Sequence, residues 1–292
     1  MNRVLRRVEL ADRIVQLDVE APRIAKKRRP GQFVIVRVVE GGERIPLTIA
    51  GADPEEGSIT LVVQVVGKTT TLLSHLSPGD SILDLAGPLG RPTHIERCGT
   101  VAVVAGGIGV APLYPIAKAL AEVGNSLVGV LGARTRALVV WEDRLASVCD
   151  ELVVTTDDGT YGRAGRVTDA LAEIASRRRL DLVVAIGPPV MMKAVSELTR
   201  PMQIPTVVSL NPIMVDGTGM CGGCRVLVGG QNRFVCVEGP EFDGHQVDFD
   251  NLIARLNAYK EYEQESLRSL AEGHRFAEGS CRLSEEVRRA GS

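Results

Sequence analysis

The chain of 292 residues is 45% hydrophobic and 24% charged, which excludes a disordered chain and a single small module and leaves room for two or three compact units. Thirty-four Lys and Arg against 36 Asp and Glu give a net charge of −2, so no whole-chain field draws in a polyanion, and nucleic acid is not an expected partner. Aromatic residues make up 3% against 31 glycines, a balance that favours tight backbone turns over aromatic stacking platforms.

In the N-terminal stretch MNRVLRRVELADRIVQLDVEAP, charges interrupt every apolar run before it reaches the length of a signal-peptide core, so export is not expected. Short apolar runs follow at FVIVRVV (33–39), PLTIA (46–50) and ITLVVQVVG (59–67), separated by Gly, Pro and Asp. They predict an antiparallel β-barrel over 1–97. From residue 98 the texture changes: TVAVVAGGIGVAPLYPIAKALAEVG reads as a strand, a glycine turn and a helix. SLVGVLGAR, ELVVTTDDG and LDLVVAIGPP read as further strands, with RVTDALAEIASRRR as an amphipathic helix between two of them. This alternation predicts an α/β doubly wound parallel sheet over 98–208. The longest apolar run, Val101 to Pro115, is broken by three glycines and two prolines and is shorter than the ~20 residues of a spanning helix. No membrane span is expected, and the expected location is cytoplasmic. Gly and Cys dominate 209–250, which is expected to form a small metal-organised unit. Residues 251–292 are charged and helical in composition, with Leu252, Leu256, Tyr259 and Tyr262 at helix-face spacing, which predicts a tail of surface helices that docks a partner.

The six cysteines, in a reducing compartment, are read as metal or redox ligands before disulfides. Asp216, Cys221, Cys224 and Cys236 are spaced D-x4-C-x2-C-x11-C, and glycines at 217, 219, 222 and 223 let the loop curl. Plant-type [2Fe–2S] clusters use C-x4-C-x2-C and a distant Cys, and Asp216 stands where the first Cys would be. A carboxylate is a harder donor than a thiolate and is expected to alter the potential of the cluster. The alternative open to this spacing is a zinc site of the three cysteines with Asp216 or His245. Cys98, Cys149 and Cys281 are isolated and read as small hydrophobes or incidental thiols.

Gly106-Gly107-Ile108-Gly109-Val110-Ala111-Pro112 follows the strand Val101–Ala105 and opens a helix. In that context glycine lets a pyrophosphate approach the backbone and the helix N-terminus favours its charge. The pattern is not G-x-G-x-x-G, and a tight turn without a ligand is its alternative. Asp157-Asp158-Gly159 and Gly187-Pro188-Pro189-Val190-Met191 end two later strands at the same carboxyl edge, where open α/β sheets bind ligands. Arg134 and Arg136 are placed either to reach a phosphate or to pair with Glu142 and Asp143. In the first unit, Gly67-Lys68-Thr69-Thr70-Thr71 offers hydroxyls, N–H groups and one ammonium to a pyrophosphate, although the upstream glycine of a P-loop is replaced by Val62. The strand Arg44-Ile45-Pro46-Leu47-Thr48-Ile49 is able to hold a flat ring by backbone contacts. The four histidines are scattered and no paired-carboxylate motif occurs, so no general acid or base is expected.

In this order, GERIPLTIA, VVGKTTTLL, GPLG, GGIGVAP, TDDGTYGRAGRVTD, AIGPPVMM and NPIMVDGTGMCGGC resemble the ferredoxin–NADP reductase superfamily. Within it, the chain is similar to the electron-transfer subunits related to dihydroorotate dehydrogenase subunit K. It is most similar to the small-subunit family of NADH-dependent reduced ferredoxin:NADP oxidoreductase, also known as sulfide dehydrogenase. The resemblance runs to about Phe249 and implies FAD in the barrel, NAD(P) in the second unit and a [2Fe–2S] cluster in the third. It implies that Arg44, Pro46, Leu47, Thr48, Gln64, Val65, Gly67, Thr69 and Thr70 serve the FAD. Gly106, Gly107, Gly109, Asp157, Gly187 and Met191 would border the nicotinamide nucleotide, and Asp216, Cys221, Cys224 and Cys236 would ligate the cluster. The chain departs from the superfamily at three points: Leu47 replaces an aromatic residue at the flavin, Arg44 sits one residue early, and Ile186 replaces a Cys before Gly-Pro.

The implied function is an electron-transfer flavoprotein subunit of an oxidoreductase, in which hydride passes between NAD(H) and FAD and single electrons run to the cluster. No protein side chain is expected to be catalytic. The implied partners are a larger flavin and iron–sulfur oxidoreductase subunit, in a ferredoxin:NAD(P) oxidoreductase complex of the electron-bifurcating kind, and ferredoxin. Three alternatives stand beside it: a dihydroorotate dehydrogenase electron-transfer subunit, a self-sufficient ferredoxin–NAD(P) reductase, and a zinc-stabilised nucleotide-binding scaffold.

Overall fold

A computed structural model of the protein describes residues 2–271. It begins with β1 (Asn2–Ala11) and β2 (Ile14–Glu20), the one-turn α1 (Pro22–Ala25), β3 (Phe33–Arg37), β4 (Ile45–Thr48), β5 (Gly51–Asp53) and β6 (Ser58–Gln64). Helix α2 (Lys68–Ser74), β7 (Ser81–Ile82) and β8 (Asp84–Leu89) complete this half. The strands pair antiparallel throughout, in the orders β5-β6-β2-β1-β7 and β4-β3-β8. This is the antiparallel barrel expected from the short apolar runs, closed over a core that includes Val15, Leu17, Val34, Val36, Ile59 and Leu61. Strand β2 is buried along Ile14–Val19 because β1 and β6 flank it on both sides.

The second half alternates strands and helices: β9 (Thr100–Gly106), α3 (Val110–Glu122), β10 (Ser126–Ala133), α4 (Glu142–Ala146), β11 (Glu151–Thr156) and β12 (Arg163–Ala164), then α5 (Val167–Arg177), β13 (Leu182–Ile186), α6 (Pro189–Thr199) and β14 (Thr206–Ser209). The strands lie parallel in the order β12-β11-β10-β9-β13-β14. Helices on both faces bury the middle of this sheet, which is why Val101–Gly106 is buried without alternation. Chain order reverses between β9 and β13, so the carboxyl ends of those two strands form the topological switch point. Trp141, the single tryptophan, is buried beside α4. The ring of Tyr114 meets it edge-on at 5.9 Å and the Arg144 guanidinium lies over it at 4.2 Å.

The cysteine-bearing segment contains the hairpin β15 (Arg225–Val228) and β16 (Gln231–Phe234), the one-turn α7 (Val235–Glu238) and β17 (Glu241–Asp243). Strand β17 pairs antiparallel with β14 and becomes the seventh strand of the parallel sheet. Cys224, Val226, Val235 and Cys236 share one core with Val104, Val183, Met192 and Leu210. The segment is therefore sewn to the nucleotide half by both hydrogen bonds and packing. Two helices follow, α8 (Phe249–Asn257) and α9 (Lys260–Ala271). Asp248 caps α8 by accepting the Asn251 N–H at 2.9 Å. Phe249 and Leu252 are buried in the nucleotide core, whereas Leu270 of α9 is buried in the barrel core. These helices thus dock on the chain's own body as a strap from one half to the other. The remainder of the tail expected over 251–292, with Cys281, lies outside the described residues.

Candidate functional site

The seam between the halves opens into a cavity of about 1520 Å³, larger than the roughly 300–1,000 Å³ that serves one small ligand. The nucleotide half contributes two turns. Gly106–Gly109, at the end of β9, and Gly187–Met191, after β13, pack directly on each other. A Cβ on Gly109 would lie 2.2 Å from the Ile186 carbonyl oxygen, and one on Gly106 would lie 2.4 Å from Met191 Sδ. Those glycines are required for turn-on-turn packing. Gly107 differs: its φ is +55° and nothing lies within 4 Å of its missing side chain, so it offers bare backbone to the cavity.

Of the residues expected at the nicotinamide nucleotide, Gly106, Gly107, Gly109, Asp157, Gly187 and Met191 all line this cavity. On the barrel side Arg44, Pro46, Leu47, Thr48, Gln64 and Thr70 line it, while Val65, Gly67 and Thr69 do not. The α2 geometry explains the difference. Thr70 Oγ1 accepts the N–H groups of Val66 and Gly67 at 3.0 and 2.9 Å, and the Thr69 hydroxyl donates to Glu43 Oε2 at 2.7 Å. Thr69 is therefore buried behind Glu43 and braces that cavity-lining carboxylate. Arg134 lines the cavity with Arg166 and Thr168 from the start of α5. Arg136 instead lies over the Tyr161 ring at 5.0 Å, and Tyr161 Oη donates to Glu142 at 2.9 Å. Sequence reasoning missed Arg166, Thr168, the wall Ser209–Val215, and Tyr259, Tyr262 and Glu263. The wall alone had a signal, because NPIMV leads into the cysteine motif.

That wall runs straight into the cysteine loop, which turns through left-handed Gly217, Gly219 and Gly222 at φ +85°, +89° and +67°. Asp216 Oδ2 accepts from the Thr218 N–H at 2.9 Å, the Thr218 hydroxyl at 2.7 Å and the Met220 N–H at 3.0 Å. These bonds, led by the Thr218 hydroxyl, hold the carboxyl below the usual carboxylate range. Oδ2 is thus tied to its own loop, and no hydrogen bond engages Oδ1 within the described set. Cys224 and Cys236 are buried with their sulfurs 3.2 Å apart, and the Cys236 N–H donates to Cys224 Sγ at 3.4 Å. Burial, then the neighbouring Cys224, pushes the Cys236 thiol up to about 12. Cys221 is exposed; the Gly223 N–H, 3.4 Å from its sulfur, and the backbone near Asp216 and Val215 hold its thiol below the usual range.

A carboxyl and two thiols on one glycine loop, the second of them paired with the Cys236 thiol of α7, with N–H groups aimed at sulfur, fit a two-iron cluster, whose ligands come in pairs on separate irons. Among the described residues, no group of three His, Cys, Asp or Glu is arranged to hold a single metal ion. His245 Nε2 lies 2.9 Å from Thr199 Oγ1 and is engaged there, not with the cysteines. The loop is anchored from both halves: Arg44 Nε donates to the Val215 carbonyl at 2.6 Å, and Arg255 Nη2 donates to the Gly223 carbonyl at 3.1 Å. Arg44 therefore joins the barrel strand to the residue before Asp216.

An antiparallel barrel and a doubly wound sheet sharing a seam cavity, with a cysteine loop opening from its wall, define a ferredoxin–NADP reductase-like oxidoreductase with an iron–sulfur extension. The family model for the iron–sulfur cluster binding domain of dihydroorotate dehydrogenase B matches residues 211–248, and that for the oxidoreductase NAD-binding domain matches 103–197. A dihydroorotate dehydrogenase B electron transfer subunit homolog of Thermotoga maritima is 50% identical over 90% of this chain and 93% of its own. The dihydroorotate dehydrogenase B electron transfer subunit of Geobacillus thermodenitrificans is 37% identical over 82% of this chain and 94% of its own. A chain in the solved structure of NADH-dependent reduced ferredoxin-NADP oxidoreductase, a study of flavin-based electron bifurcation, is 50% identical with TM-score 0.88, covering 92% of this chain and 97% of that one. The ferredoxin NADP+ reductase of Neisseria gonorrhoeae, 16% identical with TM-score 0.57 over 69% of this chain and 90% of its own, shares the fold. The chain belongs to the family of dihydroorotate dehydrogenase B electron-transfer subunits and their homologues.

Proposed function

We propose that the chain is the electron-transfer subunit of a ferredoxin:NAD(P) oxidoreductase complex, with FAD, NAD(P) and a [2Fe–2S] cluster as its cofactors. The observation that carries this reading is the continuity of the cavity wall with the ligand loop: Val215 lines the cavity, bonds Arg44 and directly precedes Asp216. FAD bound there would supply the chemistry that converts a two-electron hydride into one-electron steps. Pro46, Leu47 and Thr48 supply a strand on which its flat ring can rest, with Gln64 and Thr70 alongside. In this reading Arg44 lines the cavity and ties the strand to Val215, while Val65, Gly67 and Thr69 act behind that surface, bracing the α2 turn and Glu43. Gly106, Gly107, Gly109, Asp157, Gly187 and Met191 border the nicotinamide nucleotide at the switch point. Asp216, Cys221, Cys224 and Cys236 would hold the cluster, with the Asp216 carboxylate oriented by the bonds that Oδ2 accepts from Thr218 and Met220. The domains divide near residue 97 and near residues 208 and 250.

The chain works with a larger flavin and iron–sulfur subunit and with ferredoxin. The 50% identity to a chain of the bifurcating oxidoreductase supports that partner. Among the described residues no helix is long and apolar enough to cross a membrane, and three reduced thiols suit a cytoplasmic location. A second reading, a subunit of dihydroorotate dehydrogenase, is favoured by the match over 211–248. Anaerobic purification with whatever co-purifies, followed by iron and flavin counts and an absorption spectrum, tests both. One FAD and two irons per chain with a large flavin and iron–sulfur partner are expected. A dihydroorotate-oxidising partner selects the second reading, and zinc without flavin removes both.

A further inference from the structure

Tyr259 and Tyr262 are 57% and 70% exposed, yet both line the cavity. In a chain with four tyrosines in all, two on one cavity wall form a local concentration of aromatic surface. The segment that carries them is fixed at both ends. Upstream, Arg255 holds the Gly223 carbonyl and Leu252 is buried in the nucleotide core. Downstream, Ser266 Oγ donates to Glu43 Oε1 at 3.2 Å, and Leu270 is buried in the barrel core. Tyr259, Glu263, Ser266 and Leu270 follow the helical repeat, so the face that anchors α9 to the barrel continues into the face turned to the cavity.

The chemistry of this wall is specific. Glu263 lines the cavity with the tyrosines, and Glu43 of the barrel side, which accepts from Ser266 of the same helix, lines it too. Carboxylates here repel a phosphate and accept hydrogen bonds from ribose hydroxyls or an exocyclic amine. The cationic lining lies elsewhere: Arg44 is on the barrel strand, where it is tied to the Val215 carbonyl, and Arg134 and Arg166 flank β10 and α5 of the nucleotide half, none of them on α9. A tyrosine pair beside a carboxylate, mounted on the barrel, suits an adenosine whose diphosphate lies elsewhere.

We propose that Tyr259 and Tyr262 form the wall against which the adenine of FAD stacks, with Glu263 facing its ribose. The inference rests on the proposed reading that FAD occupies the barrel side. It is assigned to FAD and not to NAD(P) because α9 is fastened to barrel groups, Glu43 and the core around Leu270.

The test is titration of the flavin-depleted full chain with FAD and with FMN, which lacks the adenosine, followed by flavin fluorescence. Tyr259→Ala, Tyr262→Ala and the double variant are compared with Tyr→Phe at each position. Both rings are exposed, so the alanine variants should unfold at the wild-type temperature. The expected result is a Kd for FAD raised about 5- to 150-fold, the range given by roughly 1–3 kcal/mol of base stacking. FMN affinity and the visible flavin band should be unchanged, and Phe should restore binding. Equal losses for FAD and FMN would overturn the proposal by placing the rings on the isoalloxazine. A loss confined to NADH overturns it in favour of the other nucleotide. Unchanged FAD affinity in the double variant overturns it while leaving the flavin reading intact, and a wild type that binds neither flavin removes both.

Discussion

Cys221 and Cys149 show how two identical side chains acquire different chemistry from a few neighbours. Cys221 is exposed and a backbone N–H of its own loop favours its thiolate, whereas burial, reinforced by Asp150, pushes the Cys149 thiol up to about 12. After iron is removed by chelation, iodoacetamide near neutral pH should modify Cys221 at least about tenfold faster than Cys149, as read by peptide mapping; comparable rates would contradict the assignment. Thr218 acts on Asp216 through the hydroxyl bond of 2.7 Å. Thr218→Val should leave the carboxylate a stronger donor, stabilise the oxidised cluster and lower its midpoint potential in a redox titration, with iron content retained. An unmoved potential would show that Thr218 only shapes the loop. At this scale the sequence was informative where spacing carries chemistry: Asp216 stands out because three cysteines fix the frame around it. Tyr259 and Tyr262 carried no comparable signal, since a helix face that meets a cavity has the same periodicity as one that meets a partner.

Among the elements, the two glycine turns were legible as strand-to-helix turns, but their mutual packing was not, because the sequence does not say which turns become neighbours. The structure separates two roles within one motif. Gly109→Ala would place a Cβ 2.2 Å from the Ile186 carbonyl, so it should cost about 1–3 kcal/mol of stability and weaken NAD(H) binding as the turns move apart. Gly107→Ala meets open space and bears only the left-handed φ, so the cost should be about 1–2 kcal/mol. Denaturant unfolding with NADH titration distinguishes them: if Gly107→Ala weakens NADH binding as much as Gly109→Ala does, the division of roles is wrong. Two further elements escaped the sequence reading for physical reasons. Strand β1 alternates poorly because arginines cover its outer face, leaving Val4 as its buried residue. Strand β17 is three residues long, and its place in the sheet is decided by a partner strand more than 30 residues earlier.

Over the whole molecule, the halves meet at groups that couple folding to protonation. Glu241, at the edge of the nucleotide sheet, accepts the Thr93 hydroxyl at 2.6 Å from the segment leaving the barrel. Burial raises it from 4.5 to about 7, against the smaller opposing effect of that bond. The folded state then binds the proton more tightly than the unfolded one, so the stabilisation is fully present below about pH 4.5 and is lost as pH rises through about 7. Glu241→Gln should remove this slope and raise stability at pH 8 by on the order of 1–3 kcal/mol. Thermal unfolding of both proteins at pH 5 and pH 8 checks it, and parallel pH profiles would rule out Glu241 as the source. The overall plan of barrel and parallel sheet was readable because each half repeats its own period many times. The sharing of one core by the cysteine segment and the nucleotide sheet was not, since Cys224 and Cys236 contribute buried surface that composition assigns to chemistry alone.

The solitary Trp141, enclosed by Tyr114 and Arg144 beside α4, lies on the nucleotide half and outside the lining of the cavity. Its emission is therefore a single-site optical gauge of that half and of the core it shares with Ile14, Ala50 and Val62 of the barrel. Paired with the fluorescence of a flavin seated on the barrel, it gives two colours, one for each half, and energy transfer from the indole to the flavin adds a reading of the distance between them. Heating the protein while recording both would show directly whether the halves come apart together or in sequence.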